Sequence, residues 1–187
     1  MGPTEMHGAL GILKALRQME DQPMNQPMKQ TAKLDAPRFV QGEPMVIAGV
    51  KEHHSYKTKD ESIPAQWRRS MPLMDGVKNR MGRDTFGVVL DTSNKGFDYM
   101  TGIHVRDATG LPANLESIDV PARRYAVFKH DGNVSRISDT IDAIWHDWLP
   151  KSGYRMPQGP GMTEVYGETF DPKSGSGGVE LWIPIEK

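Results

Sequence analysis

The chain contains no cysteine among its 187 residues. This excludes a disulfide framework, a thiolate zinc site and a cysteine nucleophile. No apolar run approaches the ~20 residues that a membrane-spanning helix needs. The first residues, MGPTEMHGALGILKAL, lack the basic start of a secretory signal. We therefore expect a cytoplasmic protein that does not insert into membranes.

The chain also lacks an excess of charge of either sign. Its formal net charge is −1, so it has no general attraction for nucleic acid or for an anionic membrane. Hydrophobic residues make up 37% of the chain and charged residues 25%, which is typical of a globular protein. A chain of this length can bury a sizeable core, as one domain or two small ones.

Residues 1–37 differ in composition from the rest. Residues 5–20 are expected to form a short amphipathic helix with leucines along one side. The following DQPMNQPMKQTAKLDAP is rich in proline, glutamine and methionine and predicts a linker, with the ordered domain at 38–187. No helix-turn-helix fits into this arm, so direct DNA binding is not expected.

The remaining residues contain an internal repeat. The segment SIPAQWRRSMP (62–72) aligns with TIDAIWHDWLP (140–150), and Ile63 matches Ile141 at an offset of 78 residues. The same offset relates Ala48 to Ala126 and Ile103 to Leu181. A register that holds over three segments predicts two related halves, about 38–110 and 116–187.

Each half has the pattern of a strand, a helix and two further strands. The predicted strands are 45–52, 85–91 and 98–105 in the first half, and 123–130, 162–170 and 179–185 in the second. The predicted helices are 61–80 and 135–149. We expect an α+β fold, a duplicated βαββ whose antiparallel-rich sheet is backed by both helices and leaves a concave ligand-binding face uncovered.

Four segments of the second half, YAVFKHDG, WLPKSGY, GPGMTEVY and WIPI, together resemble the GyrI-like family, the effector-binding domain of Rob- and BmrR-type transcription regulators. VIAGVKEH, IPAQW and YMTGIHV extend the resemblance into the first half. The resemblance implies a duplicated βαββ fold with a pocket in the concave face, lined by aromatic residues and holding a glutamate. Regulators of this type bind lipophilic cations there. Some members without a DNA-binding domain hydrolyse cyclopropane-bearing natural products, and others modulate DNA gyrase.

Glu180 is the first candidate for the pocket glutamate. In VELWIPI the aliphatic residues alternate with Glu180 and Trp182, so if the aliphatic side chains face the helices, these two face the cleft. The offset of 78 residues places Gly102 and His104 at the matching positions, so the fold does not require an acid and a tryptophan there. Glu164 is the rival acid.

The other candidate ligand contacts lie on the strands or on the first helix and are Tyr166, Trp67, Met71, Tyr99, Tyr125 and His104. If the protein were an enzyme, Glu180 would be its catalytic base and Tyr166 its hydrogen-bond donor. Trp145 and Trp148, at helical spacing, are expected in the core between helix and sheet.

No metal and no cofactor are expected. His53 and His54 point to opposite sides of a strand, and Asp142 with His146 supplies only two ligands on one helix face. The expected partner is a small lipophilic molecule, with a cation as one candidate, and a protein partner or a homodimer stays open.

The sequence therefore favours a stand-alone domain that senses or sequesters a small molecule rather than an enzyme. Two alternatives remain. The first is a hydrolase that acts on strained, cyclopropane-bearing electrophiles. The second is a protein-interaction module such as a gyrase modulator, which a groove too shallow for a ligand would favour.

Overall fold

The structure, a computed structural model, describes residues 34–187. The predicted N-terminal helix and almost all of the predicted linker lie outside these residues. The described part is an α+β fold built on one curled sheet of eight antiparallel strands with few helices. No helix within residues 34–187 is both long enough and apolar enough to cross a membrane.

The strands are β1 (Arg38–Gly42), β2 (Met45–Ser55), β3 (Arg80–Thr92), β4 (Gly96–Val105), β5 (Glu116–Val120), β6 (Arg123–His130), β7 (Thr163–Tyr166) and β8 (Val179–Pro184). Helix α1 spans Lys59–Met74. A second helical segment, here called the composite helix, joins a 3₁₀ turn (Val134–Arg136), α2 (Ile137–Ala143), a π-helical turn (Ile144–Trp148) and α3 (Leu149–Ser152).

The order of strands in the sheet places the two halves of the chain side by side. The order is β1-β6-β8-β7-β3-β4-β2-β5, so β7 and β3 pair at the centre. Helix α1 packs on β2 and β4. The composite helix packs on β6 and β8, where Ile144 lies in one cluster with Phe128 and Leu181. The central strands β7 and β3 therefore lie between the two helices.

Alternation along the strands produces a core on the helix-bearing face of the sheet. Beneath α1, Ala48, Ile103 and Val105 pack with Met74. Beneath the composite helix, the core cluster includes Phe128, Leu181 and Ile183. The aliphatic residues of β8 thus face a helix, as their spacing predicts.

The opposite face of the sheet is not the uncovered ligand-binding surface that the sequence predicts. It carries its own buried cluster, formed by Ile47, Phe86, Val88, Met100 and Val120. The last of these comes from β5, an edge strand that curls onto β2 and helps to close this side. Side chains of the chain itself therefore occupy the space that was expected to receive a ligand.

Candidate functional site

A large cleft opens on the helix-bearing face of the sheet, between α1 and the composite helix. Its volume is about 2830 Å³. Pockets that hold one drug-sized ligand usually measure about 300–1,000 Å³, so this cleft has room for a bulky molecule. The strands β7, β3 and β4 form its floor, where residues of alternate positions point into it.

Glu164 on β7 supplies a buried acid to this floor. Its exposed fraction is 6%, and it is the one buried carboxylate in the part of the chain that the structure describes. The Tyr99 hydroxyl on β4 donates a hydrogen bond of 2.6 Å to Glu164 Oε2. The Tyr166 hydroxyl, two residues further along β7, donates one of 2.8 Å to the same oxygen.

Trp67 on α1 completes what we call the Glu164 cluster, formed by Glu164, Tyr99, Tyr166 and Trp67. The indole Nε1 donates a 3.3 Å hydrogen bond to the Tyr99 hydroxyl oxygen. The indole ring also packs edge-on against Tyr166, with ring centroids 5.1 Å apart. On its other side, Tyr166 contacts the ring of Phe170 at 4.9 Å. The acid is therefore surrounded by aromatic rings.

The two oxygens of the Glu164 carboxylate differ in their surroundings. Both tyrosine hydroxyls donate to Oε2, whereas Oε1 accepts no hydrogen bond from the part of the chain that the structure describes. Within residues 34–187, however, no buried side-chain oxygen lacks a hydrogen-bond partner. Oε1 is therefore not sealed off, and it faces the cleft that Glu164 lines.

Gly87 on β3 makes room for the hydrogen bond between Tyr99 and Glu164. A Cβ atom at this position would lie 1.8 Å from the Tyr99 hydroxyl oxygen and 2.8 Å from Glu164 Oε2. Both distances are shorter than any van der Waals contact. The cluster therefore requires glycine on the strand that lies between β4 and β7.

Burial sets the electrostatics of the cluster. Desolvation raises the pKa of Glu164, while the hydrogen bonds from Tyr99 and Tyr166 act in the opposite direction. Burial, and then the neighbouring carboxylate, hold the pKa of both tyrosines well above the ordinary value, so both hydroxyls remain donors. A buried negative charge of this kind is costly unless a positive partner approaches it.

Apolar side chains form most of the two walls of the cleft, although Lys59 and Arg68 of α1 also line it. Helix α1 contributes Trp67 and the exposed Met71. The composite helix contributes Ile137, Ile141 and Trp145, all half-buried. A ligand in the cleft would therefore meet apolar surface on both sides and an acid on the floor.

Glu180 does not lie in this cleft. It pairs with Val165 of β7 and therefore points to the face opposite Glu164. Arg38 Nη2 lies 2.6 Å from Glu180 Oε2, which also accepts a 3.0 Å hydrogen bond from Trp182 Nε1. The Arg38 guanidinium stands 5.4 Å from the Trp182 ring centroid. Glu180 is thus already paired, and it links β8 to the edge strand β1.

The remaining candidates divide between the two faces. Tyr125 contacts Trp182 with ring centroids 5.4 Å apart, and His104 lies opposite Ile47, both on the face away from the cleft. Glu180 and Tyr166 also lie on opposite faces, so they cannot act together as a catalytic pair. The candidates that line the cleft are Glu164, Tyr166, Tyr99, Trp67 and Met71.

Sequence reasoning missed the wall that the composite helix supplies. Trp148 packs in the core against Phe128, as expected, with centroids 4.9 Å apart. Trp145 also packs against this core cluster, as expected, and in addition it lines the cleft. The spacing gave no separate signal, because Ile137, Ile141, Trp145 and Trp148 follow one another at intervals of four, four and three residues and form a single apolar stripe.

The two adjacent histidines of β2 each form a hydrogen bond within the protein. His53 Nδ1 lies 2.8 Å from Asp98 Oδ1. The buried His54 lies between Ser62 Oγ and Gln66 Oε1, at 2.6 Å from each. Among residues 34–187, no group of three or more histidine and carboxylate side chains is arranged to hold a metal ion.

Comparison with known proteins identifies relatives of this fold. The transcriptional regulator BrlR of Pseudomonas aeruginosa is 28% identical over 127 residues, which cover 67% of this chain and 47% of BrlR. The structure of SAV2435 bound to tetraphenylphosphonium matches with a TM-score of 0.64 and 17% identity, over 81% of this chain and 94% of that one. EcmrR in its complex with DNA matches with a TM-score of 0.61 and 15% identity, over 96% of this chain and 65% of EcmrR.

These matches agree on one kind of domain. The chain spans about half the length of BrlR, and the matched structures show the fold. A profile of the family described as the GyrI-like small molecule binding domain matches residues 35–186, nearly all of the described part. The α+β sheet, the cleft between its helices and this match agree, and the chain belongs to the GyrI-like small molecule binding domain family.

Proposed function

We propose that the cleft binds a lipophilic cation whose positive charge is neutralised by Glu164. The observation that carries this proposal is a buried carboxylate, ringed by aromatic side chains, with one oxygen open to a large apolar-walled cleft. Within residues 34–187 no arginine or lysine forms a salt bridge with Glu164. A ligand cation is therefore the missing partner.

The physical chemistry of the cluster suits a bulky, weakly hydrated cation. Each aromatic face near the charge contributes about 0.5–2 kcal/mol, with the larger values for desolvated sites. The walls from α1 and the composite helix bury apolar groups at about 25 cal/mol per Å². That SAV2435, a structural neighbour, is bound to tetraphenylphosphonium supports this class of ligand for the fold.

The biological role we propose is effector sensing. BrlR and EcmrR, the latter in complex with DNA, are related in sequence or fold to this chain. We infer that occupancy of the cleft is the signal that this domain provides to a transcription regulator, or that the domain sequesters its ligand.

The two alternative functions fit the geometry less well. An interaction module would present a groove too shallow for a ligand, whereas this cleft encloses about 2830 Å³ above a buried acid. The hydrolase hypothesis named Glu180 and Tyr166 as catalytic residues, but these two point to opposite faces of the sheet, which leaves Glu164 as the acid that such an enzyme would use.

We also propose that the two halves of the chain arose by duplication of one βαββ unit. The offset of 78 residues supports this origin. So does the order of elements, with β2, α1, β3 and β4 in the first half and β6, the composite helix, β7 and β8 in the second. The Glu164 cluster would then have arisen where the two units meet, at β7 and β3.

The binding proposal is tested with Glu164→Gln and tetraphenylphosphonium in isothermal titration calorimetry. Removing the counter-charge is expected to weaken binding at least about tenfold, equivalent to about 1.4 kcal/mol. Glu180→Gln is the matched control, because it removes the same charge from the opposite face and should leave affinity unchanged. Equal affinity of Glu164→Gln and the parent would reject the proposal, provided that circular dichroism confirms the fold.

A further inference from the structure

We infer that the preferred ligand of the cleft is a protonated tertiary amine, whose single N–H donates a hydrogen bond to Glu164 Oε1. This inference rests on the proposed function and narrows it from lipophilic cations in general to one kind of cation. It follows from the number of hydrogen-bond donors and acceptors at the Glu164 cluster.

The carboxylate has one saturated oxygen and one free oxygen. Oε2 accepts hydrogen bonds from both Tyr99 and Tyr166, at 2.6 and 2.8 Å. Oε1 accepts none from the described residues and is open to the cleft. A quaternary ammonium or phosphonium ion has no donor to offer, so it would cover Oε1 and leave it without a hydrogen bond.

A primary ammonium has the opposite mismatch, because it brings three N–H donors. The Tyr99 hydroxyl directs its hydrogen at Glu164, and its oxygen already accepts the hydrogen bond from Trp67. Of the cluster's side chains, Tyr166 has the one further oxygen that accepts no hydrogen bond from residues 34–187. At least one N–H of a primary ammonium would then be buried without a partner, which is unfavourable.

A tertiary ammonium matches the site in both number and shape. Its single N–H, directed at Oε1, forms a charge-assisted hydrogen bond. Its three carbon substituents meet the rings of Trp67, Tyr166 and Phe170 and the apolar side chains of the walls. The cluster therefore distinguishes cations by their number of N–H donors.

The test is a matched series of three fluorescent cations, the anthracen-9-ylmethyl derivatives of the primary amine, the dimethylated tertiary amine and the trimethylated quaternary ammonium. All three carry one positive charge at neutral pH, and their apolar area rises steadily with methylation. The tertiary amine is expected to bind about tenfold more tightly than either neighbour in the series. Apolar burial alone would give a steady increase instead of a maximum.

Glu164→Gln is the control that assigns the preference to Oε1. The two tyrosines would donate to the carbonyl oxygen of the glutamine, so its NH₂ group would face the cleft. The N–H of the ligand would then meet another hydrogen-bond donor instead of an acceptor. The maximum at the tertiary amine should disappear in this variant. Glu180→Gln should preserve it, since that acid lies on the other face.

The outcomes separate this inference from the function on which it rests. Equal or tighter binding of the quaternary ion than of the tertiary amine would overturn the inference. If tetraphenylphosphonium still bound in a Glu164-dependent manner, the proposed function would stand. A parent protein that bound neither the three probes nor tetraphenylphosphonium would overturn both.

Discussion

At the scale of single residues, Gly87 is the position on which the geometry of the Glu164 cluster depends most directly. In Gly87→Ala the new methyl group would collide with the Tyr99 hydroxyl, which lies 1.8 Å from the site of its Cβ. Tyr99 must then leave Glu164. We expect a loss of about 1–3 kcal/mol in the free energy of unfolding, and weaker tetraphenylphosphonium binding. Urea unfolding and calorimetry measure the two effects.

Gly76→Ala is the matched control for this substitution. Gly76 follows helix α1, and a Cβ atom there would have no heavy atom within 4 Å. Gly76→Ala therefore measures the general effect of replacing a glycine with alanine at a site that does not contact the Glu164 cluster. If Gly87→Ala were as stable and bound as tightly as Gly76→Ala, the close approach of Tyr99 to Glu164 would not be a requirement of the site.

Glu164 and Glu180 show which part of the site a residue pattern can predict and which part it cannot. Alternation along β8 predicts that Glu180 faces away from the aliphatic residues, and it does. The prediction failed in the next step, which placed the cleft on the helix-free face. The location of the cleft depends on the spacing of the two helices over β7 and β3, and that spacing comes from long-range packing that no local pattern contains.

At the scale of elements, helix α1 packs on the sheet through buried polar groups as well as through Met74. Its buried residues are Gln66, Ser70 and Met74. Gln66 Nε2 donates to the carbonyl oxygens of Val50 and Tyr99, at 2.8 and 3.1 Å, and Ser70 Oγ accepts from Thr101 Oγ1 at 2.8 Å. The composite helix, in contrast, packs through apolar residues. Hydrogen bonds of defined geometry therefore fix α1, and with it Trp67, against the floor of the cleft.

This arrangement predicts that Gln66→Leu is destabilising although leucine is apolar and close in size. The substitution removes two donors to strand carbonyls and the acceptor of the bond to His54. We expect a loss of about 1–3 kcal/mol in the free energy of unfolding, measured by urea denaturation. Leu73→Gln, the reverse exchange at a 37% exposed site of the same helix, should be nearly neutral. A stable Gln66→Leu would indicate that apolar contacts alone dock α1.

The elements that the sequence predicts are those with long periodic patterns. The strands β2, β4, β6 and β8 and both helical segments lie close to their predicted positions. The two edge strands, β1 and β5, have only five residues each, which is too short for a clear alternation. Helix α1 ends at Met74 instead of continuing to residue 80, and a turn at Asp75–Gly76 then leads towards β3.

At the scale of the whole molecule, the resemblance of several separated segments to one family was a stronger indicator than any single motif. The family match over residues 35–186 confirms it. A resemblance of this kind predicts that an acid lies among aromatic rings, but it does not predict which acid of the chain this is. Only the paired strands bring Tyr99, Tyr166 and Glu164 together, because Tyr99 lies 65 residues away from Glu164 in the chain.

The final prediction concerns the pH dependence of cation binding. Burial raises the pKa of Glu164, while the hydrogen bonds from Tyr99 and Tyr166 and the charge of Lys59 act in the opposite direction. Above the raised pKa the carboxylate is ionised and affinity for tetraphenylphosphonium should be constant. Below it, the protein must release a proton to bind the cation, so affinity should fall by up to about tenfold per pH unit. Calorimetry between about pH 5 and pH 8 spans the region above the ordinary range of a glutamate.

Glu164→Gln separates this titration from that of other groups. The variant has no carboxyl group at the floor of the cleft, so its weaker affinity should not depend on pH over the same range. If the parent showed no decrease towards acid pH, ligand binding would not require the ionised carboxylate. A decrease that persisted in Glu164→Gln would assign the titration to another group and not to Glu164. A fall in affinity confined to the parent would identify Glu164 as the group whose ionisation controls the cleft.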